Sequence, residues 1–118
     1  MIADVKRGDI GSSFAAYADA WLTPGSPLEA DAMTVAAYQG FGTLAGAFGH
    51  VRDHGKGLFV LAATSNPEAF AVQTARLASG STVAEGMVAD AAAWNAEAAR
   101  AGAGSSVVGS IGVVLGAT

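Results

Sequence analysis

The apolar run LFVLA at residues 58–62 constrains the fold of this 118-residue chain more than any other stretch. An unbroken apolar run of this length is typical of a strand that a parallel sheet buries on both faces. Three further segments have strand character, namely the start of the chain, residues 32–35 and residues 111–115. Segments of helical spacing separate all four, so the pattern predicts an α/β fold of about four parallel βα units in a single domain, residues 1–118.

The helices between these strands are indicated by apolar residues at helical spacing, by small polar caps, and by glycine or proline stops. In parallel βα units the carboxyl ends of the strands meet at one rim, where chemistry collects. That rim would gather Lys6, Thr34, residues 64–66 and residues 116–118. The expected helices span residues 12–22, 40–53, 68–77 and 82–100, the first capped by Ser12 or Ser13 and the last by Ser81 or Thr82.

Three charged residues near the start of the chain indicate a site. Side chains alternate along a strand, so Asp4 and Lys6 share one face and Arg7 turns away from Lys6. A buried strand keeps two opposite charges there only if they satisfy each other or serve a reaction. Asp9 follows the strand, where a loop could carry it over the site or toward another subunit. A structural ion pair on an edge strand is the alternative interpretation.

The composition excludes several classes of function. The chain has no cysteine and is 52% hydrophobic but only 14% charged, which favours a cytoplasmic α/β protein without disulfides or thiolate metal sites. A net charge of -4 with scattered lysine and arginine argues against nucleic-acid binding. No apolar run approaches the roughly 20 residues of a membrane span, so no membrane partner is expected.

His50 and His54 have the i, i+4 spacing of a helical metal pair, with Asp53 between them. A turn follows at once and no third ligand is placed. We therefore expect a solvated helix end and no metal site.

Five segments, in order, resemble the orotidine 5'-phosphate decarboxylase family, in the bacterial branch that reads DxKRGDIG. They are DVKRGDIGSS at residues 4–13 with Tyr17, ADAMTV at 30–35 with Tyr38 and Gly40, FVL at 59–61 leading to TSNP at 64–67 and Gln73, GVV at 112–114, and GAT at 116–118. The resemblance covers nearly the whole chain. Two departures are Ala36-Ala37 where the family often has Asn-Pro, and Glu68 where it commonly has glycine.

The resemblance implies a (β/α)8 TIM barrel, of which this chain would supply the third to the sixth strands. Such barrels need about 200 residues or more. We therefore expect a fragment that lacks the family's first active-site lysine, its phosphate loop and its phosphate-binding arginine. On that basis the chain alone is expected to be inactive.

The resemblance also implies a reaction and its residues. Orotidine 5'-monophosphate would lose carbon dioxide to give uridine 5'-monophosphate in pyrimidine synthesis, without a metal or an organic cofactor. Lys6 would protonate C6, Asp4 would lie beside the departing carboxylate, and Asp9 would reach the partner's site in a homodimer.

Three further residues are implied in binding the nucleotide monophosphate. Ser65 would form a hydrogen bond with the pyrimidine ring, and Ser13 would lie near the ribose. Asn66, next to Ser65, is also expected among the substrate-binding residues. Ordinary alternatives are a strand-end turn for Ser65, a helix cap for Ser13 and loop support for Asn66.

Two other functions remain open from the sequence. One is a related barrel that decarboxylates a sugar phosphate of the keto-gulonate phosphate type. The other is a part-barrel without catalysis that pairs with a copy of itself to cover its open sheet edges.

Overall fold

Four parallel strands form one sheet in the computed structural model, which describes residues 1–102 and 108–117. The sheet order is β1-β2-β3-β4, so strands that follow each other in the sequence are also neighbours in the sheet. This arrangement confirms the predicted α/β fold of parallel βα units. The strands are β1 (Ile2–Arg7), β2 (Ala32–Val35), β3 (Gly57–Ala63) and β4 (Ile111–Leu115).

Helices occupy the connections between the strands. Short 3-10 turns precede the second and third helices, at Phe41–Leu44 and Pro67–Ala69. Part of the predicted loop at residues 101–106, and the last residue of the GAT segment, lie outside the described residues. The helices are α1 (Gly11–Leu22), α2 (Ala45–His54), α3 (Phe70–Gln73) and α4 (Val83–Arg100).

The predicted start of α1 was wrong by a few residues. Ile10 is the N-cap residue, while Ser12 and Ser13 both lie in the first turn and neither is the cap. Asp9 Oδ1 accepts a hydrogen bond from the Ile10 N–H over 2.7 Å. The Phe14 N–H donates to the Ile10 carbonyl over 2.9 Å, so the first helical turn already includes both serines.

The third predicted helix is shorter than residues 68–77. α3 ends at Gln73, and an antiparallel bridge between Arg76 and Thr82 turns the chain back on itself. Thr82 is the N-cap of α4, one of the two caps predicted, and forms a complete capping box. Its hydroxyl accepts from the Glu85 N–H, and the Glu85 carboxylate accepts from the Thr82 N–H. The long helix is therefore fixed at its start by two reciprocal hydrogen bonds.

The hydrophobic core lies between the helices and one face of the sheet. Leu58 and Val60 on that face of β3 are fully buried, whereas Phe59 and Leu61 on the opposite face are half-buried. The helices thus cover one side of the sheet. The largest fully buried side chains are those of Phe14, Leu22, Met33, Val35, Leu44, Leu58 and Val60.

No helix within residues 1–102 and 108–117 is long and apolar enough to cross a membrane.

α1 and α2 approach each other closely at Gly46. A Cβ atom added to Gly46 would lie 2.7 Å from both Cα and Cβ of Ala15, closer than such atoms pack. Gly49, one turn along the same helix, has open space around its Cα. Gly46 therefore permits the close contact between the two helices, whereas Gly49 makes no such contact and only weakens the helix.

We predict opposite effects of alanine at these two positions. Gly46→Ala should lower the free energy of unfolding by about 1–3 kcal/mol, because α1 and α2 must separate. Gly49→Ala is the matched control and should raise it by up to about 1 kcal/mol through helix propensity. Urea unfolding followed by tryptophan fluorescence measures both, and equal stabilisation by the two variants would contradict the close helix contact.

Lys56 is a buried cation at the amino-terminal end of β3, with 6% of its surface exposed. Its Nζ donates to Glu29 Oε2 over 2.6 Å and to the Ala30 carbonyl over 2.9 Å. The Lys56 ammonium, followed by the Gly25 N–H, lowers the pKa of Glu29 below its usual value. This pair ties the turn before β2 to the turn before β3.

We predict that this pair makes stability depend on pH. Because the folded-state pKa of Glu29 is lowered, its contribution is present above the unfolded pKa near 4.5 and is lost as the pH falls through the folded value. Lys56→Met should therefore show a smaller loss of unfolding free energy between about pH 6 and about pH 3 than the wild type. Arg100→Met, which breaks an exposed pair with Glu97, is the control and should keep the wild-type slope. Identical slopes in all three proteins would contradict the prediction.

Candidate functional site

The carboxyl end of β1 leaves the regular sheet register. Ala3 pairs with Met33 and Arg7 pairs with Val35, so three residues of β1 lie opposite Thr34 of β2. Lys6 lies within this bulge and has a φ of 48°, in the left-handed region that non-glycine residues rarely adopt. The bulge therefore changes the direction of β1 at the residue that the sequence indicated as functional.

Close contact with the end of β2 holds this segment in place. The Ala36 N–H donates to the Arg7 carbonyl over 2.8 Å. A Cβ atom on Gly8 would lie only 1.9 Å from the Ala36 carbonyl oxygen. Glycine is consequently required at position 8 if the two strand ends are to keep this spacing.

Asp4 and Lys6 form an ion pair, as their shared face predicted. Lys6 Nζ donates to Asp4 Oδ2, and the Thr34 hydroxyl donates to Asp4 Oδ1 over 2.9 Å. The hydrogen bond from Lys6, and then that from Thr34, lower the pKa of Asp4 below its ordinary value. Asp4 is thus held as a carboxylate beside an ammonium, although both side chains are more than half exposed along this outer strand of the four-stranded sheet.

Arg7 points away from this pair. Its guanidinium lies 5.8 Å from the centre of the Tyr17 ring in α1. The contact is a cation–π interaction on the helix side of the sheet. Strand alternation had predicted that Arg7 turns away from Lys6, and the structure confirms it.

Asp9 lies near the pair in sequence but is engaged elsewhere. Within residues 1–102 and 108–117, Lys6 forms its ion pair with Asp4 and not with Asp9. Asp9 is half-buried, with its carboxylate on the Ile10 N–H. Ser13 is half-buried in the first turn of α1, which begins directly after Asp9 and Ile10.

Ser65 and Asn66 lie in the loop after β3, at the same end of the sheet. Ser65 is exposed, and the Gly116 N–H beside it donates to the Ala63 carbonyl over 2.7 Å, joining the ends of β3 and β4. Asn66 accepts from the Thr64 hydroxyl over 2.6 Å and donates to Glu68 over 3.1 Å. The Asn66 side chain therefore stabilises its own loop.

Gln73 of α3 completes the support of this loop. Its amide accepts from the Thr64 N–H over 3.1 Å and donates to the Thr64 hydroxyl over 3.0 Å. Glu68 is exposed and accepts from Asn66, so it is part of the loop's hydrogen bonding.

Two cavities open beside the loop. One, of about 260 Å³, has mainly apolar walls that include Ala36, Ala37, Tyr38 and Met87. The other, of about 250 Å³, is lined in part by Ser65 and Asn66. Both lie at the carboxyl ends of the strands, the end at which parallel β/α folds bind ligands.

The predicted solvated helix end at His50 was wrong, although His54 is exposed as expected. The His50 side chain is only 15% exposed, and its Nε2 lies 2.9 Å from Asp19 Oδ1 of α1. The reason is that α1 packs along α2, with Ala15 against Gly46 and Asp19 beside His50, and so covers this position. In the described parts of the chain, no three histidine, cysteine, aspartate or glutamate side chains converge as a metal site would require.

Sequence reasoning placed Thr34 at the rim but did not include it in the site. Thr34 is 8% exposed and bonds both to the Lys6 N–H and to the Asp4 carboxylate. The available signal was a hydroxyl within the short strand AMTV, whose four residues are all buried. A buried hydroxyl needs a partner, and in this fold the nearest polar groups belong to β1.

A parallel β/α sheet with an ion pair and two cavities at the carboxyl ends of its strands is typical of a segment of a β/α barrel. The family model described as "Orotidine 5'-phosphate decarboxylase / HUMPS family" matches residues 1–118. The chain belongs to this family. The predicted part-barrel fold and the family resemblance are both confirmed.

Individual relatives agree with this assignment. The chain is 52% identical to orotidine 5'-phosphate decarboxylase of Corynebacterium efficiens and 51% identical to that of Salinispora arenicola, over its full length in both cases. These matches span 41% and 40% of the two relatives. The chain thus covers about two fifths of the length of the curated relatives it matches.

Solved structures give the same result. A crystal structure of a putative orotidine 5'-phosphate decarboxylase from Streptomyces avermitilis superposes with a TM-score of 0.88 at 50% identity, over 99% of this chain and 39% of that one. The orotidine monophosphate decarboxylase of Leishmania donovani superposes with a TM-score of 0.73 at 30% identity, over 99% of this chain and 40% of that one.

Proposed function

We propose that this chain supplies the central charged strand and the pyrimidine-side loop of an orotidine 5'-phosphate decarboxylase. The observation that carries the proposal is the Asp4–Lys6 ion pair at the carboxyl end of β1, in a chain about 50% identical to enzymes of that name. The substrate is orotidine 5'-monophosphate and the products are uridine 5'-monophosphate and carbon dioxide. A cytoplasmic location goes with this role in pyrimidine synthesis.

The proposed reaction needs no group other than side chains. The bond between C6 of the pyrimidine and its carboxylate breaks, carbon dioxide leaves, and the electron pair stays on C6. The Lys6 ammonium stabilises that developing charge and transfers a proton to C6. Asp4 keeps the ammonium directed at this position through its own Oδ2.

The remaining residues are proposed to bind the nucleotide or to complete the active site across a homodimer. Ser65 bonds the pyrimidine ring from the β3 loop, Ser13 lies on the ribose side, and Asn66 shapes the loop between them. Asp9 reaches the active site of the partner in a homodimer. Support for that role comes from its position in the turn ahead of α1, outside the ion pair of its own chain.

A hybrid enzyme provides the direct test of activity. The 118 residues of this chain would replace the matching segment of the Corynebacterium efficiens relative, to which they align without remainder. We expect the hybrid to convert orotidine 5'-monophosphate and the 118-residue chain alone to be inactive, since it spans about two fifths of such enzymes. A hybrid that turned over a keto-gulonate phosphate and not the nucleotide would overturn the proposal.

We predict that Lys6→Ala in the hybrid lowers kcat by about a thousandfold or more, because the proton donor and the positive charge at C6 are both lost. Affinity for 6-azauridine monophosphate, measured by calorimetry, should change little, since Lys6 acts mainly in the transition state. Arg7→Ala is the matched control: it removes the neighbouring cation, which contacts Tyr17, and should leave kcat within about threefold of the wild type. Wild-type turnover by Lys6→Ala would exclude Lys6 as the acid.

We also predict that two inactive hybrids complement each other. In a dimer of Lys6→Ala with Asp9→Asn, one site receives an intact Lys6 from one chain and an intact Asp9 from the other. Random reassociation of equal amounts should therefore restore about a quarter of wild-type activity. The measurement is turnover after joint unfolding and refolding, with each variant refolded alone as the control. If Asp9 acts within its own chain, the mixture will be as inactive as its components.

A further inference from the structure

Thr34 is the polar residue of a strand whose four residues are all buried. Its Oγ1 accepts a hydrogen bond from the Lys6 N–H and donates one to Asp4 Oδ1, each over 2.9 Å. A hydroxyl has one proton to donate, and here that proton is directed at the carboxylate. The Thr34 hydroxyl therefore contacts both members of the ion pair: the backbone N–H of Lys6 and the side-chain carboxylate of Asp4.

The two oxygens of Asp4 have different partners. Oδ1 accepts from Thr34 on the neighbouring strand, and Oδ2 accepts from Lys6 Nζ. With Oδ1 fixed, the carboxylate cannot rotate freely, so Oδ2 stays directed at the ammonium. The orientation of the pair consequently depends on a residue outside it.

The backbone bond acts at the most strained point of the strand. Lys6 has a φ of 48°, and the register shift places it in the stretch of β1 opposite Thr34. An N–H group that leaves the regular sheet ladder requires another acceptor, and the Thr34 hydroxyl supplies it. The same hydroxyl thus stabilises the bulge that brings Lys6 back toward Asp4.

We propose that Thr34 is a positioning residue for decarboxylation: it fixes the carboxylate of Asp4 and the backbone of Lys6, and thereby holds the lysine ammonium at the reacting carbon. This inference rests on the proposed function for its catalytic part. Its structural part concerns the contacts of Asp4 and Lys6 within this chain.

The kinetic test compares Thr34→Val with Thr34→Ser in the hybrid enzyme. Valine keeps the shape and removes the hydroxyl, so kcat should fall about tenfold or more, while KM changes little. Serine keeps the hydroxyl and should restore most of kcat. Thr43→Val is the matched control, because it removes a hydroxyl bonded to the Gly40 carbonyl, away from the pair. If valine does not fold, Thr34→Ala provides the same comparison with serine.

The pH dependence separates positioning from simple loss of stability. Thr34 is one of the groups that lower the pKa of Asp4. Lys6 also faces this carboxylate and remains in every variant. The acid limb of kcat should therefore move to higher pH in Thr34→Val and stay in place in Thr34→Ser and Thr43→Val. An unmoved limb together with unchanged kcat in Thr34→Val would overturn the proposal.

A second measurement does not depend on activity. Carbon-13 NMR of the Asp4 carboxyl group in the 118-residue chain should give a higher titration midpoint for Thr34→Val than for the wild type or Thr34→Ser. An identical midpoint would refute the role of Thr34 even in an active hybrid. Absence of turnover in the hybrid with the wild-type segment would instead refute the proposed function, and a raised Asp4 midpoint would then still support the contacts inferred for Thr34.

Discussion

The structure depends on the burial of one face of its parallel sheet beneath α1, α2 and α4. Leu58 and Val60 of β3 are fully buried among residues such as Phe14, and this packing fixes the positions of the strand ends. The opposite face bears half-buried Phe59 and the exposed Asp4–Lys6 pair. The covered face therefore supplies stability, while the open face carries the groups available for chemistry.

The fold could be predicted from the sequence because the spacing of apolar residues and the local composition determine each strand and helix. The strand β3 and the helix cap at Thr82 depend on residues close in sequence, so both could be predicted without knowing any distant contact. The short α3 and the buried His50 could not be predicted in this way. They depend on the bridge between Arg76 and Thr82 and on the packing of α1 over α2, which are contacts between distant parts of the chain.

Local patterns also predicted part of the candidate site. Strand alternation placed Asp4 and Lys6 together and turned Arg7 away, and both expectations were confirmed. The contribution of Thr34 depends on a bulge that shifts the register between β1 and β2. Single-sequence patterns assume a regular strand, so a residue whose role arises from an irregular one was not included in the site.

The left-handed backbone at Lys6 has a consequence for which sequences can occupy this strand. Glycine and asparagine adopt that conformation at the least cost, and a long side chain adopts it at a greater one. A search that optimised stability alone would therefore remove the lysine. A stabilised redesign that is meant to keep the proposed chemistry should therefore leave position 6 unchanged.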